Sequence, residues 1–233
     1  MSALAFARIP EPELMEDLEQ ARAYSEANFA APHDRCVELF RASWPGGPIS
    51  GRLLDLGCGP ADITVRLALA CPEVTIDGVD GSAAMLHFGQ RRVDAAGLSH
   101  RVHLCQAFLP DEPPPGTDYD IIVSSSLLHH LHQPQVLWRY LARYARLGAR
   151  VFVFDLMRPA SPEQARALVQ TYAADEPEIL QRDFYNSLCA AFTKAEVEAQ
   201  LTQVGLFGLT VEEVSDRHLT VRGVIQGRPI AGA

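Results

Sequence analysis

A chain of 233 residues, 48% hydrophobic and 21% charged, has room for one large globular domain or two small ones, and we read it as one. Its net charge of −9 and the absence of any basic run disfavour a nucleic-acid partner, whose phosphates call for clustered Lys and Arg. The five cysteines, Cys36, Cys58, Cys71, Cys105 and Cys189, are scattered without a C-x-x-C pair, which argues against a disulfide framework or zinc knuckle and for a reducing cytoplasm.

The opening residues meet Arg8, Pro10, Glu11, Pro12 and Glu13 before any long apolar run, so neither a signal peptide nor a membrane anchor is expected. From 13 to 44 the chain reads as helices, with Leu14, Leu18, Ala21 and Ser25 on one stripe. Pro32 restarts the pattern, which Cys36, Val37, Phe40 and Trp44 continue until the Pro45-Gly46-Gly47-Pro48 break. About thirty residues cannot bury a core of their own, so 1–49 is read as a helical cover.

Apolar strands then alternate with amphipathic helices. Strands are predicted at 52–56, 74–79, 101–105, 119–124 and 151–155. The intervening helices are placed at 62–70, at 83–96 behind a Ser82 cap, and at 134–147, the last closed by Gly148. Arg139, Arg143, Arg146 and Arg150 fall at helical spacing and read as a solvated helix face. Such alternation predicts parallel pairing with right-handed crossovers. Beyond it, helices are expected at 161–173 and 177–191 and after Thr193, where Glu196 stands ready for a capping box. The segments 209–214 and 218–225 then predict an antiparallel hairpin, with the last Gly and Ala residues frayed.

The turn Gly57-Cys58-Gly59-Pro60-Ala61-Asp62, between a buried strand and a helix, has the layout of a nucleoside-binding loop. A nicotinamide cofactor suits it poorly. Asp62 holds the third-glycine slot of G-x-G-x-x-G, where its charge repels a pyrophosphate, and Pro60 removes an amide donor. A phosphate-free cation reverses both objections.

The run from Asp55 through Gly57 and Gly59 to Ala61 resembles the D-x-G-x-G-x-G signature of class I S-adenosylmethionine (SAM)-dependent methyltransferases of the small-molecule type, with Ala61 in place of the last glycine and slightly narrowing the space above the loop. The resemblance covers 50–157. It implies an α/β, three-layer Rossmann-like fold with a seven-stranded, mostly parallel sheet. An N-terminal helical cover, a helical lid insertion at 158–192, and a last helix and β-hairpin at 193–233 of the same domain complete it. Asp80, in Val79-Asp80-Gly81-Ser82, lies 21 residues beyond Gly59, near the spacing of a ribose-binding acid. By the same resemblance Asp55, Gly57, Cys58, Gly59, Gly81 and Ser82 would line the cofactor site. Gln106 stands where the family usually places an adenine-binding Asp, followed by Ala107 and Phe108. Met85 either packs on the adenine or belongs to its helix stripe, and Ser124 and Ser125 would lie beside the methionine moiety.

Two roles remain open for His129 and His130, a general base for the acceptor or a hydrogen-bonded structural residue. With His132 they also raise the question of a metal, which we do not expect, since neighbouring residues diverge and no carboxylate completes a set. The flanking segments supply the substrate-side candidates Tyr24, Phe29, His33, Tyr172, Phe184, Tyr185 and Asn186. The expected activity is in-line methyl transfer from SAM to a small molecule, in the cytoplasm, with no nucleic-acid or membrane partner and with the oligomeric state open. Three alternatives are carried forward: a protein that binds SAM for another purpose, an RNA or protein methyltransferase, and a nicotinamide oxidoreductase.

Overall fold

The computed structural model describes residues 6–13 and 17–227. Two sequence expectations, the stripe position Leu14 and the frayed last residues, lie outside them. The elements follow the predicted alternation: α1 (Leu18–Glu26), α2 (Ala30–Ala42), β1 (Ser50–Leu56), α3 (Asp62–Ala70), β2 (Glu73–Asp80), α4 (Ala83–Ala95) and β3 (Val102–Gln106). Then come β4 (Tyr119–Ser125), α5 (Gln135–Tyr144), β5 (Ala145–Leu156), α6 (Pro162–Tyr172), α7 (Glu178–Ala190), α8 (Lys194–Gln203), β6 (Leu209–Glu213) and β7 (His218–Val224).

The seven strands form one sheet in the order β3-β2-β1-β4-β5-β7-β6. Pairing is parallel from β3 to β5, and only β7 runs against its neighbours. The order reverses between β1 and β4, which opens a crevice at their carboxyl ends. Both faces are covered, so the central strands read as continuous apolar runs whose side chains alternate between two cores. In β5, Val151 and Val153 face α5 and α8, while Phe152 and Phe154 face the layer of α2, α3 and α4. The predicted Thr193–Glu196 capping box starts α8, and Ser82 caps α4 through the Met85 amide.

The helical reading from 13 begins only at Leu18, with Glu13 outside any helix, and a second boundary differs inside the core. The helix expected to reach 147 ends at Tyr144, because Ala145 turns extended and pairs with Tyr119 of β4. Gly148, at φ +77°, therefore bends a strand and does not close a helix. Arg139 and Arg143 stay on α5, but Arg146 and Arg150 belong to β5, where Arg146 bonds Asp120 and Arg150 lies over the Trp44 ring. The four arginines thus form no single helix face. All five cysteines are free, four of them buried, and no helix among the described residues is long and apolar enough to cross a membrane.

Candidate active site

The turn after β1 is held by its own backbone. The Gly57 and Cys58 amides donate to the Val79 carbonyl at 2.9 and 3.1 Å, the Gly59 amide to Asp80 Oδ2 at 2.8 Å, and the Ala61 amide to the Cys58 carbonyl at 2.9 Å. Pro60 has no amide hydrogen. Every donor from 57 to 61 is therefore engaged inside the protein, and none is left for a phosphate. Gly57 sits at φ +71° against Leu127, where an added Cβ would come within 2.9 Å of the Leu127 Cβ. Gly59, at φ +51°, faces open space. Ala61 also has a positive φ, +58°, but its side chain is fully buried and faces Gly89 of α4. The exchange of the family's last glycine for alanine thus leaves the cleft unnarrowed.

A cleft opens above this turn at the carboxyl ends of β1, β2 and β4. Of the residues the sequence assigned to a cofactor, Asp55, Gly57, Cys58, Gly59, Asp80, Gly81, Met85, Ala107, Phe108 and Ser125 line it. Three do not. Ser82 is buried as the α4 cap, and Ser124 is buried with its hydroxyl on the Leu56 carbonyl. Gln106 is exposed and donates to the Gly81 carbonyl at 2.8 Å, because strand alternation turns it outward at the end of β3.

On the far side of the cleft, Tyr24 and His33 are present, and Phe29 lines a smaller adjoining pocket. Tyr172, Phe184, Tyr185 and Asn186 are not among the lining residues. The Tyr172 hydroxyl bonds Asp216, and Phe184 and Tyr185 pack on the α6–α7 core. The segment 6–13 runs between the end of α7 and the loop after β4. Its Ile9 amide bonds the Cys189 carbonyl, and Arg8 bridges the carbonyls of Ala190, His129 and Leu131. Glu13 Oε1 accepts from the His132 amide across 119 positions of sequence and lines the cleft. The site residues chosen from sequence did not include Glu13, Ile63, Leu109, Leu127 and Leu131, which also line the cleft. Leu127 and Leu131 lie within two positions of chosen residues, whereas nothing in the sequence links Glu13 to the β4 loop.

The cleft is acidic. Asp55 is fully buried and accepts from Thr64 Oγ1 at 2.6 Å; burial raises its pKa to about 6 despite that bond. Burial also raises Asp80, against the pull of the Ser82 and Gly59 amides on its two oxygens. Asp62 moves the other way. Burial works against its charge, but His33 Nδ1 at 2.5 Å and Arg66 Nε at 2.8 Å outweigh it and hold the pKa at about 2. No Lys or Arg is found among the described lining residues. Such a pocket fits a phosphate-free cation such as SAM, the cofactor implied by the sequence resemblance, because its carboxylates keep unused lone pairs while its amides do not.

His129 and His130 separate here. His129 is buried behind the cleft, with Nδ1 2.6 Å from Asp155 Oδ1. His130 lines the cleft, and burial together with the His129 charge holds its pKa well below the ordinary value, so its ring is neutral. Their ring centroids are 4.1 Å apart, and both rings approach Glu11, with His129 Nε2 at 3.7 Å and His130 Nδ1 at 3.2 Å from its Oε1.

A methyltransferase-domain family profile matches residues 54–151. The 27-O-demethylrifamycin SV methyltransferase of Amycolatopsis mediterranei is 27% identical over 70% of this chain, and the trans-aconitate 2-methyltransferase of Methylobacterium nodulans is 30% identical over 66%. The chain spans 57% of the length of each of these relatives. Among solved structures, a SAM-dependent methyltransferase from Aquifex aeolicus superposes with a TM-score of 0.64 at 17% identity, covering 90% of this chain and 98% of that one.

Proposed function

The core of this chain belongs to the class I SAM-dependent methyltransferases, and on that premise we propose that the protein transfers the SAM methyl group to a small, uncharged or cationic acceptor. One observation carries the cofactor half of this reading. The turn after β1 has no free amide for a phosphate, while Asp80, at the tip of β2, keeps carboxylate lone pairs open to the cleft. In this reading Asp80 accepts the ribose hydroxyls. Ala107, Phe108 and Met85 flank the adenine, and Asp55, Gly57 and Ser125 surround the amino-acid moiety.

The acceptor half rests on charge. Both curated relatives are named for small-molecule acceptors, yet a tricarboxylate such as trans-aconitate would need cations, and the described lining residues offer none. The acceptor would enter between Tyr24, His33, Leu131 and His130, under the covering segment 6–13.

SAM supplies an already activated methyl group. What the protein's residues contribute is position and dryness: they hold the acceptor in line, and Tyr24, Leu127 and Leu131 keep water from the reacting face.

Calorimetry with S-adenosylhomocysteine tests the reading. Asp80→Ala is expected to weaken binding by about 1–3 kcal/mol, the scale of a lost charged hydrogen bond. Unchanged affinity sinks the ribose assignment. Binding of NADH without binding of S-adenosylhomocysteine overturns the proposal as a whole. Formation of S-adenosylhomocysteine with a neutral or cationic acceptor, and not with an anionic one, supports the acceptor class.

A further inference from the structure

We propose that Glu11, His129 and His130 form a binding site for one divalent transition-metal ion at the acceptor side of the cleft. Their ligand atoms all lie within 4.8 Å of one another. A zinc-like ion would draw them closer, since ligands about 2.0–2.1 Å from a common centre in tetrahedral geometry stand roughly 3.4 Å apart. The contact from Glu11 Oε1 to His130 Nδ1, 3.2 Å, is within that range, and the 3.7 Å to His129 Nε2 closes to it with a small side-chain adjustment.

The case against a metal on sequence grounds was that adjacent histidines diverge and that no carboxylate completes a set. Both parts fail in three dimensions. The loop after β4 tilts the two rings to 37° with centroids 4.1 Å apart, and the segment 6–13 delivers Glu11 to both.

The surroundings are those of a ligand set. Asp155 Oδ1 receives the Nδ1 hydrogen of His129, leaving the Nε2 lone pair directed away from Asp155. Asp155 is itself fixed by the Leu128 amide at 2.8 Å. The Ser187 hydroxyl donates to Glu11 Oε1 at 3.0 Å and orients that carboxylate. Most telling is His130 Nδ1, a buried atom with no hydrogen-bond partner that nonetheless faces a carboxylate oxygen. A cation between the two would engage both atoms. Arg8 does not fill that role, because its guanidinium is engaged with the carbonyls of His129, Leu131 and Ala190.

Two imidazoles and one carboxylate are the donors of a borderline ion such as Zn²⁺, Co²⁺ or Fe²⁺, and three protein ligands leave a position open. Because His130 lines the cleft, the open position would face the acceptor and bind a neutral oxygen or nitrogen atom of it, the ion's charge being balanced by the Glu11 and Asp155 carboxylates. That last step rests on the proposed reading of the cleft. The metal site itself does not.

Tag-free protein, stripped with a chelator, would be titrated with Co²⁺ and with Zn²⁺. One equivalent of Co²⁺ is expected to bind with visible d–d absorption lacking a thiolate charge-transfer band, and Zn²⁺ is expected to compete for it and to raise the melting temperature. Glu11→Gln and His130→Gln should each weaken binding at least tenfold, and Asp155→Asn by about 10–100-fold through His129. His87→Gln, an exposed histidine on α4, should leave it unchanged. Failure of the unaltered protein to bind either ion saturably, or binding that survives both Glu11→Gln and His130→Gln, overturns the site. S-adenosylhomocysteine affinity measured on the same samples keeps the two readings apart: its loss with metal binding intact faults the cofactor assignment alone, and the converse faults the metal alone.

Discussion

Asp55 shows how a single residue couples the cofactor cleft to the stability of the fold. In the folded chain its carboxyl holds its proton up to about pH 6, whereas in the unfolded chain it ionises near 3.8. Below 3.8 both states are protonated and there is no penalty. As pH rises from about 4 to about 6 the unfolded chain releases a proton the folded one keeps, so stability falls, by about 3 kcal/mol at most at 1.36 kcal/mol per unit. Asp55→Asn, which keeps an oxygen for Thr64, is expected to flatten that decline in urea melts taken between pH 4 and 7 while weakening S-adenosylhomocysteine binding. An equally steep decline in the variant would place the titration elsewhere. Gly57 is constrained in another way, by its positive φ and by Leu127. Gly57→Ala is expected to cost about 1–3 kcal/mol, read from the denaturant midpoint at unchanged slope. The sequence identified both residues, because the spacing of acid and glycines is a local property of the chain. It misjudged Gln106, whose outward orientation depends on where β3 pairs with β2.

Among the elements, α5 and α8 show what holds the second face of the sheet. Both are core helices, and the buried indole nitrogen of Trp138 donates to Gln200 Oε1 at 2.9 Å, joining one to the other. Replacing Gln200 by Leu leaves that N–H unsatisfied and is expected to destabilise the protein by about 1–3 kcal/mol in urea unfolding, more than Gln203→Leu on the exposed side. Equal effects would mean that the bond contributes nothing beyond packing. Helix ends written in local chemistry were legible, as at Ser82 and the Thr193–Glu196 box. The end of α5 was not. Arg146 and Leu147 suit a helix well, but pairing of Ala145 with Tyr119 draws them into β5, and a long-range partner overrides local propensity.

At the scale of the whole molecule, the segment 6–13 is the piece that joins the chain's distant parts, touching the β4 loop on one side and α7 on the other. Arg8 is its main fastening, with three carbonyl acceptors and the Phe192 ring 4.1 Å from its guanidinium carbon. Arg8→Ala is expected to speed amide hydrogen exchange in 6–13 and in 128–132 at least tenfold, with β1 and β4 unaffected. Uniform acceleration would indicate a global loss of stability and no local fastening. The same segment explains why the acceptor side was hard to read: Glu11 and Glu13 carry no motif, and Tyr172, Phe184 and Tyr185, chosen for lying in an insertion, make their contacts away from the cleft lining. By itself the sequence determined the alternation of strands and helices, the cofactor turn and the acid at the tip of β2, because each is encoded within a few neighbouring residues. Only the tertiary structure decided which of two adjacent histidines faces the cleft and which carboxylate meets them, because that depends on contacts between segments more than a hundred positions apart.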